Sequence, residues 1–396
     1  MKTVFKVFTA DIFSKIFSVI TSFLLIRGMT TTDYADYAII TSIVTIISGI
    51  ILTGFNRIYI LDFERIKNQQ FNILVIQLIG IFVLAIVGLP FKAYIGNHYW
   101  LVILLLIGTC IFSFVRTVYQ QKSMFRYFTL IEIIRVFLFC IFVSSLYLFA
   151  EEQMSLKSII VVQIISLISA SIFLIKILYT DKSFSFNKNI FAIVKVLFVS
   201  NQLYLFMNLG IIAISNEVDV LLLGLLGSDF MLASYASGRK YYSLLLMALT
   251  SVNSVLLPTV NNAKSNDELR KLYRQYDKIL LLFIVLVGIA ILIAPWIIPI
   301  IDGGKYPDSI NIFRILCISS LISFAGSPYN NILLREKKYK FMVINNLLNI
   351  GVSVLLNVIL IPIYGGLGTA LSMLIAMGIL NMSSRFYGKR LIMKTD

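Results

Sequence analysis

Charged side chains that interrupt long apolar runs are the residues with the clearest chemical potential in this sequence. Asp11 and Lys15 lie four residues apart in the first run, and Glu132 and Arg135 lie three apart in the fifth. Either spacing places an acid and a base on one face of a helix, where they attract each other. Such a pair can neutralise itself, or it can exchange its partner for an ion or an anionic substrate. The sequence leaves both roles open.

A third group of charges interrupts the seventh run at Ser215-Asn216-Glu217-Val218-Asp219. The apolar pieces 203–214 and 220–227 are each too short to cross a membrane, since a span takes about 20 residues. The cluster is therefore predicted to lie inside one long span, with its two carboxylates diverging around the helix. The alternative is an extracellular loop between two shorter helices. An intramembrane carboxylate is a candidate for proton or cation coupling.

Two adjacent bases, Arg239 and Lys240, lie in the eighth run. Arg239 follows Asp229, the predicted outer end of that span, by ten residues. At 1.5 Å per residue this places Arg239 about 15 Å deep, near the middle of the bilayer. A charge there costs about 2.5–3.5 kcal/mol even on the mildest scale, so at least one of the two is expected to face a cavity.

Different roles follow for the bases and the acids. Because Lys and Arg bind phosphate through charge-assisted contacts, the bases are candidates to bind an anionic substrate. These candidates are Lys15, Arg135, Arg239 and Lys240. The candidates for ion coupling or gating are Asp11, Glu132, Glu217 and Asp219. Other bases lie near the ends of their runs and are expected to reach the lipid headgroups; they are Arg116, Lys176, Lys195 and Arg314.

The composition identifies the environment of these charges. Of the 396 residues, 59% are hydrophobic and 13% are charged, whereas soluble domains have about 45–50% and about 25%. This excludes a cytosolic enzyme, a secreted disulfide scaffold and a disordered chain. The chain is predicted to be an all-α membrane protein with about twelve transmembrane helices. Their approximate ranges are 5–26, 36–56, 71–91, 100–118, 130–150, 157–179, 196–226, 230–257, 279–300, 309–332, 341–361 and 365–387.

The positive charge is distributed asymmetrically between alternate loops. With the N-terminus in the cytoplasm, roughly 22 Lys and Arg residues lie in the inner loops and termini, against roughly four in the outer loops. Both termini are therefore predicted to be cytoplasmic. The net charge of +15 is then explained by topology, and no nucleic-acid partner is predicted.

Other kinds of chemistry have little support. His98 is the single histidine, and Cys110, Cys140 and Cys317 all lie in apolar runs. We predict no metal site, catalytic dyad or disulfide from them. The cytoplasmic loops contain no Walker A motif or other nucleotide-binding pattern, so no cofactor is predicted. If the protein moves a substrate across the membrane, the mechanisms that remain are a passive flip and a secondary, ion-coupled cycle.

Several segments resemble the polysaccharide exporter branch of the multidrug/oligosaccharidyl-lipid/polysaccharide (MOP) superfamily, the Wzx-type flippases. The stretch from Asp11 to Ala38 is similar to the opening helix and turn of that family, and Tyr235–Lys240 is similar to its mid-chain pattern. The most specific similarity is Pro362-Ile-Tyr364-Gly365-Gly366-Leu-Gly368-Thr-Ala370.

The resemblance implies two six-helix bundles, residues 1–190 and 191–396, in the bacterial inner (cytoplasmic) membrane. The implied substrate is an undecaprenyl-pyrophosphate-linked oligosaccharide repeat unit, as for the O-antigen of lipopolysaccharide. It would be flipped to the outer leaflet by alternating access, with H+ or Na+ as counter-ion. Membrane lipids and polysaccharide assembly proteins are the implied partners, and no covalent chemistry is expected.

Two alternatives stay open beside the flippase. A MATE-like multidrug or cation antiporter would share the fold, but its cavity would favour acids and aromatic residues for cationic drugs. A membrane glycosyltransferase or polysaccharide polymerase would be an enzyme, and it would need a large outer loop with catalytic acids. The outer loops predicted here are short.

Overall fold

Helices make up nearly all of residues 2–61, 70–89, 98–174, 202–262 and 266–393, which are the residues that the computed structural model describes. Numbered in chain order, they are α1 Lys2–Gly28, α2 Thr31–Ile47, α3 Gly54–Leu61, α4 Gln70–Val87, α5 Tyr99–Gln121, α6 Phe125–Phe149, α7 Leu156–Ala170, α8 Gln202–Leu226, α9 Asp229–Asn262, α10 Asn266–Asp302, α11 Ser309–Arg335 and α12 Tyr339–Met393.

Each of the twelve predicted spans overlaps one of these helices, so the prediction of an all-α membrane protein is confirmed. Within the described residues, seven helical stretches are long and apolar enough to cross a membrane. The polar cluster 215–219 lies inside the continuous helix α8, and the alternative of a loop there is wrong. The predicted boundary between bundles, at 190/191, lies outside the described residues.

The chain forms two compact units, Met1–Ala213 and Ile214–Asp396. In the first unit α1 packs along α6, and α5 packs against α4, α6 and α7. In the second unit α11 packs against α9, α10 and α12. The boundary between the units lies within α8 and directly precedes its polar cluster.

A π-helical segment, Ser48–Thr53, joins α2 to α3 without a break. A π-helix closes its hydrogen bonds one residue later than an α-helix, and it occurs mostly as single turns. Directly after the segment, Asn56 donates a hydrogen bond to Ser113 Oγ at 2.8 Å. Gln77 donates one to Asn56 Oδ1 at 2.9 Å. The segment therefore precedes a buried polar network that links three spans of the first unit.

One helix in each unit, α2 in the first and α9 in the second, begins with the same kind of side-chain cap. Thr30 accepts a hydrogen bond from the backbone N–H three residues later, at the start of α2. Ser228 does the same at the start of α9. Such side chains satisfy N–H groups that have no partner in the first helical turn. Tyr37 and Tyr235 each lie six residues after the first residue of their helix, and an alanine follows each of them. These two Tyr-Ala pairs therefore occupy the same register in their helices.

The last two predicted spans meet at a sharp turn inside α12. Gly365 has φ 54° and ψ −131°, a conformation that is accessible to glycine and strained for other residues. A Cβ on Gly366 would come within 3.1 Å of the carbonyl oxygen of Met231 in the first turn of α9. The glycine motif thus allows this turn to pack tightly against the helix that carries Arg239.

Gly365→Ala should destabilise the protein by about 1–3 kcal/mol, because alanine is strained in this conformation and its Cβ would collide with Met231. Thermal denaturation of the purified protein in detergent measures the change. Gly378→Ala is the matched control, since Gly378 lies in the same helix with open space where a Cβ would stand. It should leave stability unchanged or slightly raised. Equal losses in both variants would contradict the proposed strain.

Candidate functional site

Glu217, Asp219 and Arg239 form a group in the second unit that we call the α8–α9 cluster. Nη1 of Arg239 lies 2.7 Å from Oε2 of Glu217 and 4.0 Å from Oδ1 of Asp219. Nη2 of Arg239 donates a hydrogen bond to the backbone carbonyl of Asn216. One guanidinium thus contacts both carboxylates. The spacing of two residues predicts that these carboxylates diverge around the helix, and the long arginine side chain contacts both from the neighbouring helix.

Asp219 is the most deeply buried member of the α8–α9 cluster, with 5% of its side chain exposed. The hydroxyl of Tyr235 donates a hydrogen bond to its Oδ2, and the N–H of Val220 donates one to its Oδ1 at 2.9 Å. The side chains of Arg239 and Glu217 keep 22% and 13% exposure. Asp219 is therefore held by the protein, whereas the Arg239–Glu217 pair is the part that a ligand can reach.

A row of polar side chains on α12 lies beside the α8–α9 cluster. Asn349 donates a hydrogen bond to Ser215 Oγ on α8 at 2.8 Å. Asn345, Ser353 and Asn357 continue the row at four-residue intervals, and all are buried. This spacing places them on one face of the helix. Sequence reasoning missed the row, although the recurrence of Asn and Ser every four residues was a readable signal.

Lys240 lies next to Arg239 in α9, about 100° further around the helix. Its side chain is exposed, in contrast to the guanidinium of Arg239. The two bases therefore differ in exposure: Arg239 is paired with carboxylates and partly buried, and Lys240 is exposed.

A second group of charges, which we call the α5–α6 cluster, lies in the first unit. Glu132 lies between two arginines, with Oε1 2.5 Å from Arg135 Nη2 and Oε2 3.1 Å from Arg116 Nη1. Each guanidinium also lies over a phenylalanine ring, Arg116 over Phe128 at 4.3 Å and Arg135 over Phe112 at 5.1 Å. Two positive charges thus share one carboxylate.

The α5–α6 cluster confirms one sequence prediction and corrects another. Glu132 and Arg135 form the ion pair that their spacing predicted. The prediction that Arg116 extends to the headgroups was wrong, because Glu132 lies within its reach on the next helix. Arg314 donates to the carbonyl of Ile291 and to the side chain of Asn311. Lys176 and Lys195 lie outside the described residues.

Lys15, the candidate substrate-binding base of α1, lies at nearly the same position along the packed helices as the α5–α6 cluster. The ring of Phe17 on α1 contacts that of Phe137 on α6, with centroids 5.2 Å apart. Lys15 and Arg135 each precede these rings by two residues, and Lys15 is partly exposed. The side chain of Asp11 lies outside the described part of the chain, so its pairing with Lys15 stays a prediction.

The arrangement is suited to exchanging ionic partners. With all groups ionised, the α8–α9 cluster carries one positive and two negative charges, and the α5–α6 cluster carries two positive and one negative. Among the described residues, no group of three or more His, Cys, Asp or Glu could hold a metal ion.

The sequence belongs to a known family. Residues 1–264, two thirds of the chain, match the family model described as "Polysaccharide biosynthesis protein". Residues 205–363 also match the MatE family model. The chain is therefore a member of the polysaccharide biosynthesis protein family. No curated protein matches it.

Solved membrane transporters share the fold. The lipid II flippase MurJ in an inward closed conformation has a TM-score of 0.79 at 15% identity, covering 97% of this chain and 87% of MurJ. An inward-facing multidrug resistance MATE family transporter of the MOP superfamily has 0.74 at 14% identity, covering 96% and 95%. A mutant of the Vibrio cholerae MATE transporter VcmN has 0.65 at 14%, covering 99% and 97%. The protein is a multi-pass membrane protein with the fold that these transporters share.

The Glu217–Arg239 pair should show a coupling energy of about 1–3 kcal/mol in a double-mutant cycle, because it is largely removed from water. Glu217→Gln, Arg239→Gln and the double variant are compared by thermal denaturation in detergent. The neighbouring residues Arg335 and Glu336, 3.8 Å apart and more exposed, form the control pair, with an expected coupling below about 1 kcal/mol. Equal coupling in the two cycles would be evidence against a structural role for the pair.

Proposed function

We propose that this protein is a flippase that moves an undecaprenyl-pyrophosphate-linked oligosaccharide repeat unit across the bacterial cytoplasmic membrane. The observation that carries the proposal is that both units contain arginines inside their spans, each paired with a carboxylate. Membership of the polysaccharide biosynthesis protein family supports a glycan as cargo. The MOP fold, which MurJ shares, supports transport rather than an enzymatic reaction.

The pyrophosphate group would bind to arginines that carboxylates now hold. A guanidinium donates parallel hydrogen bonds equally well to carboxylate and phosphate oxygens. A phosphate that reaches the partly exposed Arg239 therefore competes with Glu217 for the same donors. Lys15, Arg135 and Lys240 are the further candidate contacts, and Lys240 is the most exposed residue of the three.

Displacement of Glu217 from Arg239 supplies a physical basis for ion coupling. A carboxylate that loses its partner inside a membrane span is costly as an anion. It lowers that cost by taking up H+ or Na+, and it releases the ion when Arg239 returns. Asp219, held beside the same guanidinium, would respond to the same change. Asp11 and Glu132 are the candidates for an equivalent role in the first unit.

An antiporter for organic cations is the second candidate function. It is favoured by the match of residues 205–363 to the MatE family model and by the excess of acids in the α8–α9 cluster. The two candidates need cargo of opposite charge, so a transport assay separates them. The transporter fold gives no support to the third alternative, a polysaccharide polymerase.

Protein reconstituted in liposomes should move a fluorescent polyprenyl-pyrophosphate oligosaccharide between the leaflets, as measured with a quencher that does not cross the membrane. Transport of ethidium without transport of the glycolipid would overturn the proposal. Arg239→Gln should slow glycolipid transport by about tenfold or more, since it removes a charge-assisted contact. Arg385→Gln, which removes an exposed arginine from the last span, is the control and should leave the rate unchanged.

Ion coupling predicts that Glu217→Gln or Asp219→Asn flattens the dependence of transport on pH or on a sodium gradient, because an amide cannot take up either ion. Initial rates in liposomes with imposed gradients measure the effect. The exposed Glu152, substituted to Gln, serves as the control and should preserve the wild-type dependence. If both cluster variants also keep the wild-type dependence on pH or sodium, the carboxylates are not the coupling groups. Transport would then be driven in another way.

A further inference from the structure

Arg116 is a charged member of the α5–α6 cluster that sequence reasoning assigned to the headgroups. Its Nη1 and the Nη2 of Arg135 approach opposite oxygens of the Glu132 carboxylate, from two different helices. Among the residues that the structure describes, the Nε atoms of both arginines are buried without a hydrogen-bond partner, as is Oε2 of Glu132. Each guanidinium has five N–H donors. One carboxylate therefore leaves donors of both arginines unsatisfied.

The phenylalanine rings fix the direction of these donors. Phe128 lies 4.3 Å from the guanidinium carbon of Arg116, and Phe112 lies 5.1 Å from that of Arg135. A ring below a guanidinium favours the cation and restricts its plane. The two planar groups are thus held converging on one point, which Glu132 occupies. An anion with acceptor oxygens in several directions can accept hydrogen bonds from more of these donors than one carboxylate does.

The depth of the α5–α6 cluster indicates which anion reaches it. Arg116 lies five residues before the end of α5, and Glu132 and Arg135 lie seven and ten residues after Phe125, the first residue of α6. At 1.5 Å per residue the three side chains start about 8–15 Å from the turn between these helices. The distribution of Lys and Arg predicts that this turn is cytoplasmic. The cluster then lies in the inner half of the bilayer, below the headgroups of the inner leaflet.

We propose that Arg116 and Arg135 form a binding site for the pyrophosphate of the substrate on its way out of the cytoplasmic leaflet. The pyrophosphate oxygens replace Glu132 between the two guanidiniums and accept the donors that the carboxylate leaves unsatisfied. The identity of the ligand rests on the proposed function, whereas phosphate binding by the two arginines does not. Glu132 is a competitor within the site: it holds the arginines in place and limits the affinity, so that the headgroup can leave.

This role predicts effects of opposite sign for the acid and the bases. Arg116→Gln and Arg135→Gln should each weaken the binding of inorganic pyrophosphate by about tenfold or more, because a charge-assisted contact is lost. Glu132→Gln should tighten it several-fold, since the competing charge is gone while both guanidiniums remain. Calorimetric titration of the purified protein in detergent measures the dissociation constants. Arg126→Gln removes an exposed arginine from the first turn of α6 and should leave binding unchanged.

A purely structural ion cluster would give a different pattern. It predicts lower thermal stability for all three cluster variants and the same pyrophosphate affinity in each variant that folds, which would overturn the proposal. Arg116→Lys keeps the charge without the planar fork. It should fold and show an intermediate loss of affinity; wild-type affinity in this variant and in Arg135→Lys would also count against the site.

Two further comparisons separate this site from the function and from bulk lipid. Loss of pyrophosphate binding in Arg116→Gln, in a protein that moves no glycolipid even as wild type, would support the site and overturn the proposed function. Phosphatidylglycerol added in mixed micelles should not displace pyrophosphate at equal concentration. Displacement would assign the site to headgroups of the bilayer and overturn the assignment to the substrate.

Discussion

The cost of a charge in hydrocarbon is the constraint on which the rest of this structure depends. Even a moderate cost of about 2.5–3.5 kcal/mol per charge requires a partner or water for each one within a span. Here the arginines find their partners on neighbouring helices, Arg239 with Glu217 and Arg116 with Glu132. The same pairs connect α9 to α8 and α5 to α6. In the proposed function, helix packing and recognition of an anion therefore use the same side chains.

The surroundings of the α8–α9 cluster combine fixed and exchangeable contacts. Asp219 is fixed by Tyr235 and by the backbone of α8. The turn at Gly365 packs against the beginning of α9, one to two turns before Arg239. In the proposed mechanism these contacts hold the helix while the partly exposed Arg239–Glu217 pair changes partners. A transporter needs this combination, because a site that binds and releases must not deform its own scaffold.

The sequence was sufficient for the features that depend on hydrophobicity and local spacing. Apolar runs predicted the helices, and an interval of three residues predicted the Glu132–Arg135 pair. It was insufficient for the partners of Arg116 and Arg239, because these lie on other helices. Which helices lie side by side is decided by packing along their whole length, and the periodicity of one span contains no information about its neighbour. The polar row through Asn349 was missed for another reason: uncharged side chains interrupt an apolar run only weakly.

The π-helical segment at Ser48–Thr53 has a consequence for the first unit. The π-helical segment contains one residue more than an α-helical turn. This extra residue rotates the part of the helix that follows it by about 100°. Asn56, three residues after the segment, forms its hydrogen bonds with Ser113 and Gln77 on the face that this rotation sets. Deleting a single residue between 48 and 53 would restore regular winding and turn the amide of Asn56 away from both. The extra residue thus rotates one part of the continuous helix relative to the other. The two ends of the helix therefore present different faces to their neighbours.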